Sequence, residues 1–147
     1  MDEHKIQYFE QEGGRSFPWF RVVSPVECAA LRGRIAEKVG VPLEADPLKL
    51  VLRVAEKEGR NLPQSAEDEH FDLAQVIATA GIEPRDLVHL NWYRFDRIEQ
   101  MGLADLIDYF DEIWYPGSDD LDIFDETVQW ILSISHHGAV RVLFFEE

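Results

Sequence analysis

Cysteine is almost missing from this chain of 147 residues: Cys28 stands alone, so no disulfide closes within the chain and no multi-cysteine zinc site forms. A lone thiol suits a reducing compartment. No apolar run approaches bilayer-spanning length, and Met1-Asp2-Glu3-His4-Lys5 has no signal-peptide core, so the cytoplasm is the expected location. Positive charge is scarce as well. Fourteen Lys and Arg face 29 Asp and Glu, a formal net charge of −15. That balance argues against docking on nucleic-acid phosphates or an anionic membrane and favours a basic partner. The chain has no His-Glu-x-x-His, no Gly-x-Ser-x-Gly and no phosphate-binding glycine loop, Gly13-Gly14 standing by itself. Without repeats, low-complexity stretches or a long linker, residues 1–147 read as a single domain.

What is present is a folding sequence. Apolar residues make up 46% of it and aromatic ones 12%, too much for a disordered acidic tail. Ser24-Pro25-Val26-Glu27 opens a helix that Gly40 closes, with Cys28, Leu31, Ile35 and Val39 at helical spacing, which makes Cys28 a core residue. Asp46-Pro47 reads as a second cap, leading into a helix from Leu48 to Glu58 ended by Gly59. The alternation of Leu50, Leu52 and Val54 fits a strand equally well. After Ser65 and a polar turn, Phe71 to Ala80 reads as a third helix stopped by Gly81. Leu87 to Phe95 favours a strand. Leu103 to Trp114 gives the clearest amphipathic helix, with Leu103, Leu106, Ile107, Phe110 and Trp114 on one face and Asp105, Asp108 and Glu112 on another. Strands follow at Leu121 to Phe124, Gln129 to Ser135 and Ala139 to Phe145, the last two forming a hairpin through His136-His137-Gly138. The expected class is α+β, with N-terminal helices packed on a mostly antiparallel sheet.

The charge is unevenly spread. Between Asp96 and Glu126 eleven acidic residues meet one basic residue, Arg97. Without interleaved Lys or Arg, self-repulsion works against the fold, and a docked basic surface would relieve it. Within that segment Asp105, Asp108, Glu112, Tyr115, Asp119 and Asp120 are the candidate partner-binding residues, Tyr115 because an aromatic beside an acidic run and a turn has the make-up of a binding hot spot. Trp114 reads instead as a helix end plugged into the core.

Catalytic and metal chemistry have weaker support. Asp119-Asp120-Leu121-Asp122 offers oxygen ligands, but a calcium loop beginning at Asp120 would place Phe124 fifth, Asp125 where Gly is needed and Ile131 where Glu is needed. His136 and His137 are adjacent and would diverge in a strand. Ser118 or Ser135 with His136 and an aspartate supplies a triad by residue type only. No cofactor and no bound metal are therefore expected, and the alternative to a binding protein is a small metal-dependent hydrolase using Asp119, Asp120, Asp122 and His136.

The stretch Trp114-Tyr115-Pro116-Gly117-Ser118-Asp119-Asp120, continuing through Phe124-Asp125, Trp130, Ile134-Ser135-His136 and Gly138, resembles the tail of small uncharacterised bacterial proteins. In general build the chain is similar to immunity proteins of bacterial toxin systems, including the SMI1/KNR4-like group. That resemblance, confined to the last third, implies a small, acidic, cytoplasmic protein that ends in a sheet, has no catalytic residue and occludes a toxin. Both lines lead to the same expectation, a non-catalytic protein that binds a basic protein partner.

Overall fold

The computed structural model describes residues 1–145. Four helices begin on a residue whose side chain takes up a free backbone amide. Asp2 accepts from the His4 N–H ahead of α1 (Glu3–Gly13), and Ser24 from that of Glu27 ahead of α2 (Pro25–Val39). Asp46 accepts from the Leu48 N–H before α3 (Pro47–Glu56), and Asp72 from that of Ala74 before α4 (Leu73–Ala80). Left-handed glycines, Gly14, Gly40 and Gly81, end three of them. The third, α3, ends differently: Arg141 donates to the Val54 carbonyl at 2.8 Å and the Lys57 carbonyl at 2.6 Å, filling the cap role from a distant strand.

Seven strands form one sheet: β1 (Phe20–Val22), β2 (Arg60–Ser65), β3 (Leu87–Asn91), β4 (Ile98–Gly102), β5 (Leu121–Phe124), β6 (Trp130–Ile134) and β7 (Ala139–Phe144). Their order is β1-β4-β3-β5-β6-β7-β2, with every pairing antiparallel. This is the expected α+β class. Two short helices, α5 (Leu103–Asp108) and α6 (Phe110–Ile113), link β4 to β5. The β6–β7 hairpin turns through His136-His137-Gly138, where Gly138 has φ of +85° and sits so close to Ser65 and Glu67 that a Cβ would lie within 3 Å of them. Only glycine meets both demands.

Alternation along the strands divides the core in two. Val88, Leu90, Leu121, Ile123, Trp130, Leu132, Ile134, Val140 and Val142 pack on one face against α4, α5 and α6. Phe124, Ile131 and Leu143 pack on the other against α2 and α3. Cys28 is buried among them, its thiol 3.5 Å from the Phe95 carbonyl. Among the described residues no helix is long and apolar enough to cross a membrane.

Several boundaries differ from expectation for physical reasons. Residues 47–56 are helical, because Leu50 and Val54 are buried four apart while Leu52 is exposed; the helix stops short of Glu58 and Gly59. Helix α4 starts at Leu73, since Asp72 serves as its cap. Strand β3 ends at Asn91, not Phe95: Tyr93 and Phe95 take positive φ, and the Asn91 side-chain carbonyl accepts from the Phe95 N–H at 2.8 Å. The helix expected over Leu103 to Trp114 breaks at Tyr109, whose ring meets Phe9 of α1 edge-on at 5.1 Å and lies under Arg15. Strands β1, β2 and β4 and helix α1 have no counterpart in the sequence reading. Strands β1 and β2 interleave with the helices of the first half.

Candidate functional site

Helix α1 lies beside α6, and between them a shallow groove of about 340 Å³ is lined by His4, Tyr8, Asp111, Glu112 and Tyr115. Lys5 fixes this arrangement. Its ammonium reaches Asp119 at 2.5 Å and lies 4.1 Å from the centre of the Trp92 ring and 5.0 Å from that of Tyr115. Two aromatic faces and a carboxylate thus hold a lysine that is itself buried. The same Asp119 carboxylate accepts from the Tyr115 N–H at 2.8 Å, and its backbone carbonyl accepts from the Trp114 indole at 2.9 Å. These bonds lock the turn after α6 and set Tyr115 at the groove's end. Trp114 is buried, as expected for a core plug. Burial raises the Tyr115 hydroxyl pKa, with Tyr8, Asp119, Asp2 and Glu112 adding to the shift.

Of the six residues proposed from sequence, the groove gathers Glu112 and Tyr115. Asp105 and Asp108 lie on the preceding helix and do not line it. Asp119 is engaged by Lys5. Asp120 is engaged by His136, accepting from its backbone N–H at 2.9 Å and meeting its Nδ1 at 2.9 Å. Both carboxylates thus have partners within the chain and shape the turn. By contrast, no ion pair among the described residues involves Asp105, Asp108, Asp111 or Glu112.

Helix position separates these four acids. Asp105 falls in the first turn of α5, and Asp111 and Glu112 in the first turn of α6, where the unsatisfied amides favour negative charge. Asp108 is the last residue of α5 and exposed; the C-terminal end of α5 disfavours a carboxylate there, while the N-terminus of α6, two residues on, favours one. No ion pair among the described residues compensates its charge. His4, Tyr8 and Asp111 complete the groove but were not singled out from sequence. Asp2 before an apolar pair, Ile6 and Phe9, followed by Gly13-Gly14, was the available signal for α1.

The carboxylates weighed for a metal site have separate partners. Asp119 goes to Lys5 and Asp120 to His136, while Asp122 meets Asn91 and Ser133. Among the described residues no three His, Cys, Asp or Glu side chains are placed to share an ion. Comparison with protein-family models, curated proteins and solved structures finds no match.

Proposed function

We propose that this chain is a non-catalytic binding protein of the immunity type, which neutralises a basic protein partner, a toxin, through the acidic face formed by α1, α5 and α6. The observation that carries this reading is Asp108: an exposed, unpaired carboxylate at the C-terminal end of a helix, beside three further carboxylates without ion-pair partners. Unpaired like charges repel one another in the free protein, and a docked cation relieves that repulsion. Tyr8, 58% exposed, and Tyr115 flank the groove and supply rigid aromatic surface of the kind that anchors interfaces. Charge would speed the encounter and the two tyrosines would prolong the complex.

Capture from source-cell extract at low salt tests this. Wild-type protein should retain a basic protein that is released by raised salt and is not retained by Asp105→Lys/Asp108→Lys/Glu112→Lys. Equal retention of the same protein by wild type and the triple variant would refute the assigned face.

A further inference from the structure

On the sheet face covered by α2 and α3, five neighbouring strands carry a polar residue in the same cross-strand row. Asn91 on β3 stands opposite Asp122 on β5, Asp122 opposite Ser133 on β6, Ser133 opposite Arg141 on β7, and Arg141 opposite Asn61 on β2. Asn91 is buried and Asp122 and Ser133 are half-buried, and the hydrogen bonds among the three offset the cost of that burial. Arg141 turns its guanidinium onto the last carbonyls of α3 and so holds that helix over one end of the row. Between α3 and the row lies a cavity of about 310 Å³, within the range of small-ligand sites. Val51, Val54, Ala55 and Phe95 give it an apolar wall, Asp122 and Ser133 a polar floor, and Arg141 lines it as well, its guanidinium engaged by the Val54 and Lys57 carbonyls.

Asp122 is held in one orientation. The Asn91 side-chain carbonyl is committed to the Phe95 N–H, so its amide nitrogen faces Asp122 and donates to Oδ2 at 2.9 Å. Ser133 donates to Oδ1 at 2.7 Å. Two neutral donors leave acceptor capacity on both oxygens. No ion pair among the described residues reaches this carboxylate. Asp120, also on the cavity lining, adds negative charge. Burial raises the Asp122 pKa; the bonds from Ser133 and Asn91 and the charge of Arg141 oppose this, and Asp120 adds to it.

We infer that this cavity is a binding site for a small organic cation, a primary ammonium on an aliphatic body, with Asp122 taking the ammonium and Val51, Val54 and Ala55 the chain. The site lies apart from the groove between α1 and α6 and does not depend on what binds there.

The test is titration of ¹⁵N-labelled protein with n-pentylammonium, alongside 1-pentanol and pentanoate as neutral and anionic counterparts of similar size. Pentylammonium should give saturable shifts centred on the amides of Asp122, Ser133 and Ala55, with a dissociation constant of about 1 mM, the level that six non-hydrogen atoms support. Pentanol should bind at least about tenfold more weakly, and pentanoate should not saturate. Asp122→Asn should abolish the saturable shifts. So should Ala55→Trp, which fills the apolar wall and leaves Asp122 in place, and it decides the matter if the asparagine variant does not fold. Equal binding of pentanol, or pentylammonium shifts that survive both substitutions, would overturn the assignment. Tighter binding of Nα-acetyl-lysine amide than of pentylammonium would also overturn it, because a protein side chain would then be the better occupant.

Discussion

Replacing Lys5 by Met keeps the length of the side chain and removes its charge from a site where the lysine has 6% and Asp119 16% of the side chain exposed. Loss of one member of a buried ion pair costs about 3–5 kcal/mol, chiefly because the other charge is left without compensation. Asp119 keeps some contact with water and its bond from the Tyr115 N–H, which shifts the loss somewhat below that range, to about 2–4 kcal/mol. An unfolding entropy of about 2.1 cal/mol/K per residue gives about 0.3 kcal/mol/K for a chain of this size, so Tm should fall by about 10 K. Asp119→Asn in the Lys5→Met background removes the orphaned charge while an oxygen still faces the Tyr115 N–H. The double variant should therefore lose at least about 1 kcal/mol less than the two single losses together. Denaturant titration of the four proteins measures this. A Lys5→Met loss below about 0.5 kcal/mol, or strict additivity, would refute the role given to Lys5 in holding α1 against the turn.

Trp130 packs with Leu106, Phe110 and Ile113 beneath the sheet, and Trp130→Ala should cost about 3–5 kcal/mol; a denaturant midpoint corresponding to less than about 1 kcal/mol would place that ring outside the core. His89 is buried with its Nδ1 unpartnered, and burial first, then Arg21, lowers its pKa. The unfolded chain then takes up a proton that the folded chain resists. Its contribution to stability is complete above the ordinary imidazole value of 6.5 and is lost as pH falls toward the depressed folded value. The stability of wild type relative to His89→Phe should decline from pH 7 to pH 5, and parallel melting curves would contradict this. Magnesium, calcium and zinc should leave Tm within about 2 K of the metal-free value, whereas a site filled at 100 times its dissociation constant would add about 2.7 kcal/mol.

Helices with complete punctuation were legible in the sequence. Ser24, Pro25 and Gly40 bound α2 because capping is local chemistry that neighbouring residues specify by themselves. The β6–β7 hairpin was legible through Gly138 and the alternation on either side. Strand β4 was hidden because Glu99 stands within it and is buried against the Met1 ammonium and the Trp92 indole, partners remote or disguised in sequence. Strand β2 was hidden by Pro63, which an edge strand tolerates at the side that makes no ladder bonds. The break at Tyr109 arises from packing against α1, a contact that helical periodicity does not encode. In the acidic segment composition gave every carboxylate the same weight. Asp119 and Asp120 find partners in Lys5 and His136, Asp122 turns inward, and Asp108 is left open. The inward turn of Asp122 was encoded in the alternation Leu121-Asp122-Ile123, whereas its row of polar neighbours depends on strand order.

The most direct measurement is the association rate of Asp108→Lys/Glu112→Lys with the basic protein captured by wild type, set beside the variant's stability. Exposed charge steers encounter over the Debye length, about 10 Å at 0.1 M salt. Wild-type association should slow at least about tenfold between low and physiological salt, and the variant should associate at least about tenfold more slowly at low salt. Stability should change little with the substitution at Asp108, because the residue is exposed and has no ion-pair partner among the described residues to lose. An association rate unchanged by the substitution and insensitive to salt would contradict the claim that this face meets a basic partner.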